Sequence, residues 1–369
     1  MPTATANPLH HTATRATSLP QQIFLLADDL TGASDSAAAF LRMDRAVRVW
    51  LGAAATFHAK EPVQAFNTNS RSLSPAKASR IVARSVAALA SNSQALFFKK
   101  IDSAARGPFA AEILAAHRAF GSRAVLLAPA FPAAGRTVLN GILEIQDATG
   151  QLTQIDIASL FPPRRRSLIA LVSRPEDLAA ALDNGKLVLL CDASTQSDLE
   201  SLVRAAEKFP SLLFAGSAGL AQALASRDAQ HIRRVPPPSA SRTLLLAGSD
   251  HPVTKLQLET LKRADARVDS RALQVLRLDF SPRDRARILD SFRTFTPQAL
   301  ILTGGDTASL VARTLGAHSF ILHGELAPGI PWGIVQGGVA EGCIVITKSG
   351  GFGAPTIFNE ILTALRGPA

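Results

Sequence analysis

Two adjacent carboxylates follow the first apolar run of the chain, in the stretch IFLLADDLTG at residues 23–32. An apolar run that stops at Asp28 and Asp29 is typical of a buried strand, and a buried carboxylate needs a partner or a ligand. One acid could accept hydrogen bonds from substrate hydroxyls while the other deprotonates an attacking hydroxyl. Capping of the following helix is the alternative, but a cap needs only one such residue. The pair therefore favours a functional role, and which acid would be the base stays open.

A cluster of charges follows the apolar run ALFF at residue 95. The segment KKIDSAARG at residues 99–107 combines cations, a carboxylate and a hydroxyl within nine positions. Such groups suit the binding of a carboxylate or a phosphate. A solvated turn is the alternative, but direct attachment to an apolar strand end argues against it. The candidate substrate-binding residues of this segment are Lys100, Asp102, Ser103 and Arg106.

Two further arginines are candidates for binding an anion. Arg136 ends the turn PAFPAAGR after AVLLA, and the two prolines and the glycine restrict its backbone. A rigidly held guanidinium suits bidentate contact with a carboxylate or phosphate. Arg71, in NTNSRSL, is a candidate of the same kind, although alone it would be a surface arginine.

Three glycine turns follow strand-like runs in the last third of the chain, after TLLLA, ALILT and CIVIT. Glycines let backbone N–H groups approach phosphates, and helix starts at Thr307 and near Thr356 would add favourable dipoles. One such turn is usually just a turn, whereas three on successive strand ends favour a nucleotide site. The candidate nucleotide-binding residues are Gly248, Ser249, Gly304, Gly305, Asp306, Thr307, Gly350, Gly351 and Gly353.

Two common nucleotide motifs do not fit the chain. GSAG at residues 216–219 has the spacing G-x-x-G, not the dinucleotide fingerprint G-x-G-x-x-G. The P-loop pattern G-x-x-x-x-G-K-[ST] does not occur. An NAD-linked dehydrogenase is therefore a poorer hypothesis than an enzyme with another type of nucleotide site.

The elements that must position these residues are short apolar runs, most of them followed by helix-like patterns. The runs are IFLLA at 23, ALFF at 95, AVLLA at 124, LVLLC at 187, LLFAG at 212, TLLLAG at 243, ALILTGG at 299 and CIVITK at 343. Continuous apolar runs alternating with helices indicate parallel strands covered on both faces. The sequence therefore predicts an α/β fold.

The chain is long enough for two domains, and a polar segment with three consecutive prolines at residues 228–242 suggests their boundary. We expect each domain to be a mainly parallel sheet flanked by helices. The expected division is a flexible tail at 1–22, an N-terminal domain at 23–229, a Pro-rich linker at 230–242 and a C-terminal domain at 243–369. The tail has no apolar core of a secretory signal.

The composition narrows the class of partner. The net charge of +10 fits an anionic ligand, but Tyr is absent, aromatics are 5% and the basic residues are scattered, which argues against nucleic acid. Small acidic ligands fit better, and the dense basic run at residues 164–166 is expected to be a solvated loop. No stretch resembles a membrane span, and two distant cysteines, Cys191 and Cys343, predict a reducing cytoplasmic location without disulfides.

Together these motifs resemble the four-carbon acid-sugar kinases, which phosphorylate threonate, erythronate or 3-oxo-tetronate using ATP. ADDLTGASD, KKIDSAARG, PAFPAAGRTVLNG, GSAGLA, LTGGDTA and KSGGFG occur in the order of that family, from about Ile23 to about Leu365. The resemblance implies an N-terminal domain that binds the acid sugar, a C-terminal domain that binds ATP, and an active site in the cleft between them. Phosphoryl transfer generally requires Mg²⁺ bridging the β- and γ-phosphates, and the sequence leaves its protein ligands unknown.

Carried onto matching positions, the resemblance marks residues of both domains. On the substrate side they are Asp28, Asp29, Lys100, Asp102, Ser103, Arg106 and Arg136, and on the nucleotide side Ser249, Gly304, Gly305, Thr307, Gly350, Gly351 and Gly353. The catalytic role would belong to Asp28 or Asp29.

The chain departs from the family on the substrate side. Ala104, Ala105 and Pro108 stand where the family usually has Thr, Leu and Asn, and the chain is short for the family. The leading hypothesis is an ATP-dependent kinase for a terminal hydroxyl of a four-carbon sugar acid. The departures motivate an alternative hypothesis, a non-catalytic sensor of nucleotide or metabolite with the same fold. The oligomeric state stays open, with a homo-oligomer as one option.

Overall fold

The computed structural model of the chain describes residues 20–41, 45–52, 60–89, 95–146, 150–227, 235–264 and 271–367. Residues 1–19 of the expected tail and residues 230–234 of the expected linker lie outside the described residues. We call residues 20–227 the N-terminal half and residues 235–367 the C-terminal half. The division into domains at residues 230–242 stays a prediction.

The N-terminal half alternates strands and helices. Its strands are β1 (Ile23–Ala27), β2 (Val47–Trp50), β3 (Val63–Asn67), β4 (Leu96–Lys100), β5 (Ala124–Ala128), β6 (Arg136–Leu139), β7 (Ile142–Gln146), β8 (Leu152–Asp156), β9 (Ile169–Val172), β10 (Val188–Cys191) and β11 (Leu212–Gly216). Its helices are α1 (Leu30–Ala38), α2 (Pro75–Leu89), α3 (Phe109–Phe120), α4 (Pro163–Arg166), α5 (Asp177–Asp183), α6 (Gln196–Ala206) and α7 (Ala218–Ala225).

The C-terminal half continues the alternation and ends on a helix. Its strands are β12 (Thr243–Ala247), β13 (Leu273–Arg277), β14 (Ala299–Thr303), β15 (Ser319–Ala327), β16 (Ile330–Gln336) and β17 (Ile344–Lys348). Its helices are α8 (Pro252–Ala264), α9 (Asp284–Phe295), α10 (Gly305–Thr314) and α11 (Ile357–Arg366). The α/β fold predicted from the apolar runs is confirmed.

Strands of both halves form one large sheet. The strand order is β13-β12-β14-β17-β16-β15-β2-β3-β1-β4-β11-β5-β10-β9. Neighbours are parallel within β2-β3-β1-β4-β11-β5-β10-β9 and within β13-β12-β14-β17, whereas β16 and β15 pair antiparallel with their neighbours. The expectation of a sheet in each half is therefore met, but the antiparallel pair β15–β2 joins the two sheets into one.

The two parallel sets run in opposite directions because three successive antiparallel pairings, β17–β16, β16–β15 and β15–β2, separate them. Helix α1 nevertheless packs against α10, and one hydrophobic core contains buried residues of both halves, such as Leu25 of β1 and Leu302 of β14. A second core belongs to the C-terminal half and includes Trp332 and Phe358. This packing brings the loops that follow β1 and β14 together.

Three details differ from the expectations. Lys99 and Lys100, expected to follow the strand, are the last residues of β4, which therefore extends beyond the apolar run. The basic run at residues 164–166 forms the short helix α4, because Pro163 suits a first helical position. A separate antiparallel sheet, β6-β7-β8, begins at Arg136.

No helix among the described residues is long and apolar enough to cross a membrane. Both cysteines are free, with Cys191 buried in β10.

Candidate active site

The paired carboxylates at the end of β1 both contact Arg71. Asp28 accepts from Nε of Arg71 at 2.8 Å and from Nη2 at 3.0 Å, so both of its oxygens are engaged. Nη1 of Arg71 donates to Oδ2 of Asp29 at 2.9 Å. Burial alone would raise the pKa of Asp28, but the charge and hydrogen bonds of Arg71 hold that pKa below its ordinary value. The guanidinium is thus fixed between two buried carboxylates.

Asp29 also forms the N-cap of α1. Its Oδ1 accepts from the backbone N–H of Gly32 at 2.8 Å, and its Oδ2 accepts from the hydroxyl of Thr31 at 2.8 Å. The capping alternative is therefore correct for one of the two acids. Asp29 also contacts helix α10, because a Cβ placed on Gly305 would overlap Oδ2 of Asp29.

Asp102 and Arg106 form a second ion pair beside the first. Nε and Nη2 of Arg106 both lie 2.7 Å from the carboxylate of Asp102, and Nη2 of Arg71 lies 3.4 Å from Oδ1 of Asp102. Burial opposes ionisation of Asp102, yet Arg106 and Arg71 keep its pKa well below its usual range. The side chain of Arg106 is 59% exposed, so its guanidinium remains accessible to a ligand.

Lys100 lies behind this cluster rather than at its surface. A Cβ on Gly32 would stand 2.6 Å from Oδ1 of Asp29 and 2.8 Å from Nζ of Lys100, which places both groups beside the first turn of α1. Nζ of Lys100 is 3.9 Å from Oδ1 of the buried Asp35. Burial raises the pKa of Asp35 to about 7 despite the charge of Lys100.

Arg136 reaches the site from the start of β6. Its guanidinium carbon lies 5.6 Å from the ring centroid of Phe352 in the C-terminal half, and Nη1 donates to the carbonyl of Ala134. Phe352 also packs edge-on against Phe131 with ring centroids 5.7 Å apart. These contacts connect the proline-rich turn to the last glycine turn.

The three glycine turns of the C-terminal half meet around Ser249. A Cβ on Gly350 would overlap Oγ of Ser249, and a Cβ on Gly304 would stand 3.4 Å from Cβ of Ser249. The N–H of Gly248 donates to the hydroxyl of Thr307 at 3.0 Å. Gly304 has a φ of +97°, which favours glycine, and no side chain caps the N-terminus of α10. An uncapped helix N-terminus attracts an anion.

One cavity of about 520 Å³ collects residues from both halves. It is bordered by predicted site residues, which are Asp29, Arg71, Ser103, Arg106, Arg136, Gly248, Ser249, Gly304, Gly305, Asp306, Thr307, Gly350 and Gly351. Four other predicted residues do not border it. Asp28, Lys100 and Asp102 stand behind those that do, and Gly353 borders an adjoining cavity of about 280 Å³.

Two family models match the chain, one on each side of this cavity. A sugar-binding N-terminal domain matches residues 23–177, and a nucleotide-binding C-terminal domain matches residues 285–358. The chain is 29% identical to a D-threonate kinase from Bordetella bronchiseptica over 93% of this chain and 97% of that protein. It is 27% identical to a D-threonate kinase from Salmonella typhimurium over 92% of this chain and 97% of that protein. The chain belongs to the four-carbon acid-sugar kinase family.

A solved structure shares the fold of this family member. A Haemophilus influenzae protein superposes with a TM-score of 0.65 at 21% identity, covering 93% of this chain and all of that chain. At this level of identity the likeness concerns the fold alone.

Sequence reasoning missed several residues that border the cavity, among them Thr31, His251, Phe280 and Phe352. Thr31 and Phe352 lie inside motifs that the sequence singled out, so their positions were a usable signal. His251 stands two residues after Ser249, and a Cβ on Gly351 would lie 3.0 Å from its Nε2. Phe280 gave no signal, because its role as a wall depends on a left-handed backbone, φ +60°, after β13.

Proposed function

We propose that this family member uses ATP to phosphorylate a terminal hydroxyl of a four-carbon sugar acid. The observation that carries the proposal is the contact of Asp29, at the end of β1, with the uncapped N-terminus of α10. A carboxylate beside an anion-binding helix terminus is where a hydroxyl and a terminal phosphate would meet. The family models on either side of the cavity support the same division of labour.

The N-terminal half would hold the sugar acid. Arg106 is half exposed and anchored by Asp102, and Arg136 enters from β6, so both can pair with the substrate carboxylate. Ser103 offers a hydroxyl to the substrate's other oxygens. Arg71 is held by Asp28 and Asp29 and would keep their carboxylates in place. Lys100 does not border the cavity, and its positive charge would stabilise the nearby carboxylate of Asp29.

Asp29 is the better candidate for the base, because it borders the cavity whereas Asp28 stands behind it. The substrate hydroxyl would donate a hydrogen bond to Oδ2 of Asp29. As its oxygen forms a bond to the γ-phosphorus, the bond from that phosphorus to the leaving oxygen of ADP breaks. The hydroxyl proton passes to the carboxylate of Asp29.

The C-terminal half would hold the phosphates. Backbone N–H groups at the start of α10 and those of Gly350 and Gly351 can donate to phosphate oxygens. Magnesium prefers oxygen ligands and usually takes one or two carboxylates together with substrate phosphates. Asp306, at the cavity, fits that requirement and would hold it. When bound, Mg²⁺ would neutralise charge on the β- and γ-phosphates.

A non-catalytic sensor of the same fold is not favoured. The matched relatives, aligned over almost their full length, are named kinases. The ion pairs that fix Arg71 and Arg106 are also intact despite the departures at Ala104, Ala105 and Pro108.

The proposal is tested by ADP release with D-threonate, D-erythronate and 3-oxo-tetronate as separate substrates, with Mg²⁺ and ATP. We expect turnover with at least one of them and phosphate on a terminal hydroxyl of the product, identified by ³¹P NMR. ATP binding by calorimetry without turnover on any of the three would refute the assigned reaction.

Replacing Asp29 by Asn should lower kcat by roughly 10²- to 10⁴-fold, because the amide cannot take the proton. ATP binding should stay within a few-fold of the unmodified protein. Asp28→Asn is the matched comparison, since it loosens Arg71 without removing the base. It should raise the KM for the sugar acid more than it lowers kcat. If Asp28→Asn showed the larger loss of kcat, the roles of the two acids would be reversed.

A further inference from the structure

The loop after β17 has its backbone carbonyls turned toward a buried lysine. Nζ of Lys348 donates to the carbonyls of Ser349 at 2.9 Å, Gly350 at 3.4 Å and Phe352 at 3.1 Å. The side chain of Lys348 is fully buried, and its Nζ lies 5.5 Å from the ring centroid of Phe358. Within the part of the chain that the structure describes, no carboxylate forms an ion pair with it.

Two buried side chains of α8 hold the same carbonyl edge. The hydroxyl of Thr254 donates to the carbonyl of Gly350 at 2.7 Å. Nε2 of Gln257 lies 2.9, 2.9 and 3.1 Å from the carbonyls of residues 352, 353 and 354. Thr254 and Gln257 are both fully buried. Three side chains, from β17 and α8, therefore donate hydrogen bonds to the carbonyls of one short loop.

The direction of these carbonyls also determines where the N–H groups of the loop point. In a planar trans peptide, the carbonyl and the N–H of the next residue point in opposite directions. Because the carbonyls of Ser349 and Gly350 point toward Lys348 and Thr254, the N–H groups of Gly350 and Gly351 point away from them. Gly350 and Gly351 both border the large cavity. Successive N–H groups with this orientation form an anion-binding concavity.

The positive charge of Lys348 also favours an anion at this loop. Burial lowers the pKa of Lys348 to about 7. An anion on the far side of the loop would favour the charged ammonium, whereas a lysine that only filled the core would gain nothing from a ligand. Burial disfavours the charged ammonium of Lys348, and a bound anion would offset part of that unfavourable free energy.

We propose that Lys348, Thr254 and Gln257 are positioning residues that hold loop 349–354 with the N–H groups of Gly350 and Gly351 directed at the phosphates of the nucleotide. This inference rests on the proposed function only in taking a nucleotide as the ligand. The three residues act through the backbone of the loop and touch no reacting atom.

Calorimetric titration of ADP, with Mg²⁺, tests the inference without requiring catalysis. Thr254→Val keeps the shape of the side chain and removes its donor, so the Kd for ADP should rise about 3- to 10-fold, as expected for one lost hydrogen bond. Lys348→Met should raise it by about 10-fold or more, because several bonds and a charge are lost. Thr254→Ser restores the donor and should restore the affinity. Lys262→Met, at an exposed position of the same helix α8, is the control for a lysine change and should leave Kd unchanged.

A second titration, with D-threonate, separates positioning from general loosening of the fold. The Kd for the sugar acid should change less than twofold in Thr254→Val, and circular dichroism should show an unchanged fold. Thr254→Val carries the test if Lys348→Met fails to fold. ADP binding at the affinity of the unmodified protein, or an equal loss for both ligands, would overturn the inference even in an active kinase. An ADP-specific loss in a protein that turns over none of the three acids would support the inference and refute only the reaction.

Discussion

Asp29 combines a structural and a chemical role in one side chain. Its Oδ1 caps α1 through Gly32, while its Oδ2 contacts Thr31 and the first turn of α10. The cap fixes the carboxylate from one side, and Arg71 fixes it from the other. A reacting group held by the fold itself needs little rearrangement when substrate binds. Asp28 supplies the counter-charge that makes the position of Arg71 favourable.

The raised pKa of a single residue, Asp35, should make the stability of the fold depend on pH. Its pKa rises from 3.8 in the unfolded chain to about 7 in the fold, chiefly because of burial. Between these values the folded state binds more protons than the unfolded state, so the free energy of unfolding falls as pH rises from 4 to 7. Asp35→Asn keeps the size and removes this titration. We expect it to stabilise the fold at pH 8 by on the order of 1–3 kcal/mol and to have little effect at pH 4.

Urea unfolding at pH 4, 6 and 8 measures this effect. Asp183→Asn is the control, because Asp183 is an aspartate at the exposed end of α5, with 78% of its side chain accessible. Its unfolding free energy should follow that of the unmodified protein at every pH. An Asp35→Asn variant with the same pH profile as the unmodified protein would contradict the assignment.

At the scale of elements, the site is built by turns at the carboxyl ends of parallel strands. The turns after β1, β4, β12, β14 and β17 all supply residues to the cavity. Glycine at position 305 lets α10 begin against the carboxylate of Asp29, since a Cβ there would overlap Oδ2. The contact between Asp29 and α10 thus depends on the absence of a Cβ at position 305.

Gly305→Ala should therefore impair catalysis although alanine is the better helix former. We expect kcat to fall by about 10-fold or more, because Asp29 is displaced from the helix terminus. A double-mutant cycle with Asp29→Asn isolates the cause: once the carboxylate is disabled, Gly305→Ala should cost less than threefold more. Full additivity of the two losses would show that Gly305 acts independently of Asp29.

Much of this arrangement could be predicted from local sequence. Strands β1, β5, β12, β14 and β17 are continuous apolar runs, and the glycines after the last three mark the turns directly. The pairing of Arg71 with Asp28 could not, because 43 residues separate them and nothing local records the contact. The order of the strands in the sheet could not be predicted either, because Arg48 interrupts β2 and the sequence does not mark it as an apolar run.

At the scale of the molecule, the two halves share more than the cavity. Strand β2 pairs with β15, Nη1 of Arg48 donates to Oγ of Ser319 at 2.8 Å, and Nδ2 of Asn67 donates to Oγ of Ser309 at 3.3 Å. The larger core also contains residues of both halves. Separating the halves would therefore expose apolar surface and an unpaired strand edge, so we expect them to unfold together.

The two tryptophans of the chain allow this to be measured half by half. Trp50 lies in β2, where its Nε1 donates to Gln64 at 3.0 Å, and Trp332 lies in β16, where its Nε1 donates to the carbonyl of Val235 at 2.7 Å. In Trp332→Phe, fluorescence follows the N-terminal half, and in Trp50→Phe it follows the C-terminal half. In each variant the urea midpoint from fluorescence should equal that from circular dichroism. Saturating ADP should shift both midpoints of a variant equally, because ligand bound to one half stabilises a single cooperative unit. A shift confined to the Trp332 signal would show that the halves unfold separately and that the β2–β15 pair does not couple them.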